Sequence, residues 1–202
     1  MTLLAVLRHA PTAWNHNKRL QGRADIAITE EARVRMERRY VPSPYAEWRA
    51  LSSPLGRCLQ TAAALDLVVT PDDRLIEMDW GAYQGSTIDE LHIREGDAFA
   101  ANERSGLDFK PPGGESPRDV QVRVAPLLAR LAGEGRPTLA VTHRGVIRAI
   151  YAAAAGWDMT GDPPHRLDLY DTLQIFTLAP DGSPGIERLN VPLAWRNRRA
   201  NG

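Results

Sequence analysis

The chain has 202 residues, and its 25 lysines and arginines are balanced by 25 aspartates and glutamates. That length suits one domain, residues 1–202, with a substantial buried core. Zero net charge gives no global field for nucleic acid or an acidic membrane surface, and no stretch reaches the ~20 apolar residues that span a bilayer.

Cys58 is the only cysteine, so no internal disulfide is possible and a reducing compartment is expected. A strand begins within two residues of Met1, which leaves no room for a signal peptide at this end. Together these features predict a soluble, cytoplasmic protein.

Residues 3–7 form a short apolar run that stops at Arg8 and His9, with the breaker Pro11 just beyond. That is the pattern of a buried strand. Residues 15–28 are polar, contain Gly22, and read as a loop. Thr29 with Glu30 and Glu31 opens a helix over about 30–39, which Pro42 and Pro44 end. Residues 48–52 make a short strand. Ser53-Pro54 then reads as N-cap and first helical residue of a helix reaching Leu65. A short strand near 67–69 follows, then an apolar-rich stretch at 75–80 that contains Glu77.

Thr87 with Glu90, or Ser86 with Asp89, makes a capping-box pattern for a short helix near 87–94. Residues 95–115 are polar, include Pro111-Pro112-Gly113-Gly114, and predict a mobile flap spanning about 86–115 in all. Ser116-Pro117 caps a long helix whose Val120, Val124, Leu127, Leu128 and Leu131 recur at helical spacing. Residues 138–142 form a second buried strand that ends in His143-Arg144-Gly145. A helix with Val146, Ile147, Ile150 and Tyr151 on one face follows it. Residues 172–178 alternate as a strand, turn at Pro180-Asp181-Gly182, and return near 186–191. Residues 192–202, rich in arginine, are expected to be a disordered tail.

Strands alternating with helices argue for an α/β fold of three α/β/α layers around a mostly parallel sheet. Parallel strands would carry Arg8-His9, the turn bearing Arg57, and His143 to one end of the sheet, where such folds place their ligand crevice. Two guanidinium groups facing one small volume call for an anion between them, and their planar forks suit phosphate oxygens. A neutral histidine can attack phosphorus and split the transfer into two steps. A second histidine could stabilise charge on the equatorial oxygens, and a carboxylic acid could protonate the departing oxygen. No His/Asp/Glu cluster has metal-ligand spacing such as H-E-x-x-H, and no cofactor is implied.

The blocks 7–15 (Leu-Arg-His-Ala-Pro-Thr-Ala-Trp-Asn), 20–25, 28–33, 52–62, 74–85, 113–116 and 141–148 resemble the histidine phosphatase superfamily. They occur in the order of its phosphoglycerate mutase-like branch and reach to about residue 150. The resemblance implies a phosphoglycerate mutase-like fold with His9 as the phosphorylated nucleophile. Arg8, Arg57 and His143 would complete the phosphate pocket, and Glu77 would be the proton donor. Asn15, Gln21 and Gly22 match positions that line phosphate and substrate in relatives. Thr142 would place a hydroxyl near the pocket.

Two positions depart from the family pattern. Ala10 stands where glycine follows the nucleophile, which implies φ below zero there. Arg144 stands where glycine follows the second histidine. It either offers a partner to a second acidic group on the substrate or is a solvated rim residue.

The proton-donor block, Glu77-Met78-Asp79-Trp80-Gly81, lacks the Glu-Arg-x-Tyr-Gly pattern of the mutases, and the flap is short. Both features resemble the phosphatase type, since a mutase must shield its intermediate from water. The expected activity is metal-independent hydrolysis of a small phosphomonoester, with neither nucleic acid nor membrane as partner. Two alternatives are phosphoglycerate mutase activity and a non-catalytic regulatory protein on the same scaffold.

Overall fold

In the computed structural model, which describes residues 1–196, eight strands and seven α-helices follow in chain order. They are β1 (Thr2–Arg8), α1 (Ala13–His16), α2 (Glu30–Glu37), β2 (Arg39–Tyr40), β3 (Arg49–Ser52), α3 (Gly56–Ala64) and β4 (Val69–Pro71). Then come α4 (Ile88–Glu95), α5 (Asp97–Glu103), α6 (Pro117–Glu134), β5 (Thr138–Thr142), α7 (Arg144–Ala155), β6 (Thr172–Leu178), β7 (Pro184–Pro192) and β8 (Ala194–Trp195). Among the described residues, no helix is long and apolar enough to cross a membrane.

The main sheet has the order β4-β3-β5-β1-β6-β7. The first four of these strands are parallel, whereas β6 and β7 pair antiparallel. β1 is buried on both faces because both faces are covered. Leu4 and Val6 pack with Val120, Leu127, Val146 and Ile150 of α6 and α7. Ala5 and Leu7 pack with Ala32 and Met36 of α2 and with Cys58 and Ala62 of α3. A continuous apolar run, rather than alternation, is what a strand between two helical layers needs.

Three segments differ from their sequence reading. Residues 95–115 are not a bare loop, since Asp97–Glu103 is helical and both Phe99 and Phe109 are buried. Phe99 meets Tyr83 edge-on with ring centroids 5.5 Å apart, and Phe109 meets Trp80 at 5.6 Å. Aromatic contacts, not periodicity, order this polar stretch. At the other end, residues 192–196 of the expected tail pair instead with the chain. β8 is antiparallel to β2, and Arg39 stacks its guanidinium 3.5 Å from the Trp195 ring centroid. The rest of that expected tail, residues 197–202, lies outside the described residues. Finally, α3 begins at Gly56 with Leu55 as its N-cap, which releases Ser53 for another partner.

Candidate active site

Strand register builds the site. β1 and β5 run parallel with Arg8 opposite Thr142, so His9 and His143 leave the sheet side by side, their ring centroids 5.2 Å apart. β3 lies on the other flank of β5 with Ser52 opposite Val141, which carries Ser53 to His143. Sites at the carboxyl ends of parallel strands follow from this geometry.

His9 Nδ1 lies 2.7 Å from the Ala10 carbonyl oxygen. A carbonyl can only accept, so Nδ1 carries the proton and Nε2 keeps its lone pair. Burial, reinforced by the Arg8 and Arg57 charges, holds this imidazole well below the ordinary histidine range, so the ring is neutral. Ala10 has no positive φ, in line with its methyl group, and its N–H donates to Thr61 Oγ1 at 2.9 Å.

His143 is wholly buried and lies behind the cavity wall rather than on it. Arg57 Nε donates to its Nδ1 at 3.3 Å, and a guanidinium only donates. The His143 proton therefore sits on Nε2, which donates to Ser53 Oγ at 2.7 Å. Burial, then the neighbouring His9, Arg57 and Arg8, lowers the pKa of this ring as well. Cys58 Sγ is 3.4 Å from His143 Nε2, and burial pushes its thiol up, so it stays protonated.

Arg57 has no solvent-exposed surface. Its Nη1 donates to the Ala24 carbonyl at 2.6 Å and its Nη2 to that of Gly22 at 2.8 Å. The fork thereby anchors the loop that brings Gln21 and Gly22 to the cavity. Gly22 adopts φ +53°, and a Cβ there would come 2.9 Å from Gln84 Oε1. Arg8 is differently placed. Its guanidinium lies 4.7 Å from the centroid of the Tyr170 ring, and its buried Nε has no hydrogen-bond partner. A desolvated cation with an unused donor is a place for an anion.

Glu77 is buried, with 8% of its surface exposed. Its Oε1 accepts from Met78 N at 2.9 Å and its Oε2 from Gly145 N at 3.3 Å. Burial raises its pKa against those two hydrogen bonds and the Arg57 charge, which favours a carboxylic acid over a carboxylate. Gly145 makes this possible, because a Cβ at that residue would stand 2.5 Å from Glu77 Oε1.

Arg8, His9, Arg57 and Glu77 line one cavity of about 620 Å³ together with Asn15, Gln21 and Gly22. Thr12 and Asn15 form a capping box in which Asn15 Oδ1 accepts from Thr12 N at 3.0 Å, leaving the Asn15 amide N–H groups to donate. Gln21 Oε1 is buried without a partner. Leu20, Trp80, Ile88, Phe109 and Met159 contribute apolar surface to the same lining. Thr142 is the one expected site residue, besides His143, that does not reach the cavity. Its hydroxyl donates to the Leu75 carbonyl at 2.7 Å and so pins the segment leading to Glu77. Among the described residues, no group of three or more His, Cys, Asp or Glu could hold a metal ion.

Sequence reasoning passed over Ser53, Gly145 and Tyr170. Ser53 precedes a proline and so reads as a helix cap, whereas its hydroxyl is the partner of His143. Gly145 carries no local signal, because its partner Glu77 is far away in the chain. Nothing local marks Tyr170.

The family model described as histidine phosphatase superfamily (branch 1) matches residues 4–191. The glucosyl-3-phosphoglycerate phosphatase of Mycolicibacterium vanbaalenii is 34% identical over 167 residues, 76% of this chain and 74% of that one. A 2,3-bisphosphoglycerate-dependent phosphoglycerate mutase of Methylobacterium radiotolerans is 31% identical over 205 residues, 94% of this chain and 90% of that one. Among solved structures, a mycobacterial glucosyl-3-phosphoglycerate phosphatase complexed with VO3 matches with a TM-score of 0.75 at 27% identity, covering 95% of this chain and all of that one. The phosphoserine phosphatase of Entamoeba histolytica, bound to 3-phosphoglyceric acid, matches at 0.74 and 26% identity, covering 94% and 97%.

Proposed function

Because this chain belongs to the histidine phosphatase superfamily, branch 1, we propose that it hydrolyses small phosphomonoesters in the cytoplasm, without a metal, through a phosphohistidine at His9. The observation that carries this reading is a neutral, buried His9 whose bare Nε2 shares a cavity with the unpartnered Arg8 and a protonation-prone Glu77.

In the first step His9 Nε2 attacks phosphorus, and the ester oxygen leaves with the proton of the Glu77 carboxyl group. Nδ1, bonded to the Ala10 carbonyl, keeps its proton and shares the positive charge that develops on the ring. Arg8 and Arg57 hold the phosphoryl oxygens, the former with donors it has not used, the latter from a fixed position. In the second step water attacks the phosphohistidine, Glu77 takes the proton back, and phosphate departs. His143 acts one layer behind, fixing the Arg57 guanidinium through Nδ1. Asn15, Gln21 and Gly22 contact the phosphate or the substrate beside it. Thr142 serves as a support for the Glu77 segment.

A purified sample should release 4-nitrophenol from 4-nitrophenyl phosphate in the presence of a chelator, and His9→Ala should not. Absence of turnover by the wild type, or full activity in the variant, refutes the reading. The mutase relative at 31% identity keeps one alternative in view, decided by whether 3-phosphoglycerate is converted to 2-phosphoglycerate instead of releasing phosphate.

A further inference from the structure

Past the phosphate pocket, the same cavity carries charge that the phosphoryl chemistry does not use. Arg144 and Arg148 both line it, one helical turn apart on α7. Neither forms an ion pair with any described residue. Of the cavity-lining carboxyls, Glu103 Oε2 is paired with His92 Nε2 at 2.9 Å, and both Glu77 oxygens accept from backbone N–H groups, so Glu77 exerts on Arg144 only an attraction weaker than the effects of burial and Arg8.

For the fold alone this arrangement is unfavourable three times over. Arg144 is the first residue of α7, where the helix dipole already presents positive charge. Like charges at i and i+4 repel. Burial and then the nearby Arg8 charge lower the pKa of Arg144, and burial and then Arg144 lower that of Arg148. Two of these neighbouring guanidinium groups, those of Arg8 and Arg148, are nonetheless held in place. Arg148 lies 5.1 Å from the centroid of the Trp157 ring, and Arg8 stacks on Tyr170, so their faces are covered and their N–H edges are left to donate.

We infer that Arg144 and Arg148 form a second anion subsite, and that the substrate is a phosphomonoester carrying another negatively charged group, a carboxylate or a second phosphate, which docks between them. This rests on the phosphomonoesterase reading of the cavity. The negative group removes the unbalanced charge at the start of α7, and the ~620 Å³ volume leaves room for it beyond the transferred phosphate.

The test compares three probes with the full chain: 4-nitrophenyl phosphate, with no second anion; 3-phosphoglycerate, with a carboxylate; and fructose 1,6-bisphosphate, with a second phosphate. Arg144→Gln and Arg148→Gln should each lower kcat/KM for the preferred doubly charged probe about tenfold relative to 4-nitrophenyl phosphate, through KM. Arg144→Glu should shift preference toward phosphoethanolamine, whose second group is cationic. The carboxylate and bisphosphate arms identify which anion the subsite takes. In parallel, calorimetric binding of the three probes to His9→Ala, with and without Arg144→Gln, reads the subsite without turnover. A ratio unchanged by both glutamine variants in turnover and in binding overturns the inference. Failure of the wild type to hydrolyse any probe, with discrimination intact in binding, overturns the phosphatase reading and spares the subsite.

Discussion

Replacing Gly145 by alanine tests whether the position of the Glu77 carboxyl group governs the reaction. The added methyl carbon would lie 2.5 Å from Glu77 Oε1 and 3.2 Å from Met78 Cβ. A contact that short forces the carboxyl group to move, and its partner, the Gly145 N–H at 3.3 Å, moves with it. Gly145 has ordinary helical backbone in the first turn of α7, with no positive φ. Elsewhere in a helix the same change would stabilise by about 0.5–1 kcal/mol, which offsets part of the crowding. The melting temperature should therefore stay within about 4 °C of wild type. Activity should not. A misplaced acid forfeits on the order of 100-fold in kcat on an alkyl phosphate, whose leaving oxygen needs a proton. On 4-nitrophenyl phosphate, whose leaving group departs as an anion, the loss should be several-fold at most. Steady-state kinetics on the two substrates, with thermal unfolding as control, measure this directly. Equal losses on both substrates, or none on either, would refute the role assigned to Glu77.

The pKa directions set the pH profile. His9 must be unprotonated, and its pKa lies well below 6.5, so kcat/KM should fall only in acid below that value. Glu77 must be protonated, and its pKa lies above 4.5, so the alkaline limb starts higher than an ordinary glutamate would allow. Glu77→Gln should lower the rate and abolish the alkaline limb, and a limb that survives would assign it to another group. Arg57→Lys keeps the charge but cannot span the Gly22 and Ala24 carbonyls together with His143 Nδ1. It should destabilise the fold by about 2–3 kcal/mol in urea unfolding and raise KM, whereas unchanged stability would deny the fork its anchoring role.

Much of the site could be read from the chain because its residues come in short blocks at strand ends. Residues 3–7 and 138–142 announce two buried strands, and the polar residues after them are conspicuous for that reason. What local rules could not supply is the pairing between blocks. Ser53 sits before a proline and looks like a helix cap, yet the register of β3 on β5 turns it toward His143. Thr142 and His143 stand at the end of β5, beside the β1 end that carries Arg8 and His9, but one bonds to Leu75 and the other backs the Arg57 guanidinium, so neither lines the cavity. The stretch 95–115 reads as a mobile flap because its two anchoring aromatics, Phe99 and Phe109, are too sparse to form a period. The strand at residues 194–195 depends on a two-residue partner more than 150 positions earlier.

The central claim is that His9 Nε2 carries the phosphoryl group. Rapid acid-free quenching of a turnover mixture, followed by peptide mass spectrometry, measures it most directly. The account predicts one added phosphoryl group on the peptide containing His9, lost on acid treatment, stable in base, and absent from His9→Ala. A turnover mixture that yields no labelled peptide, or an acid-stable label on any other residue, would contradict it.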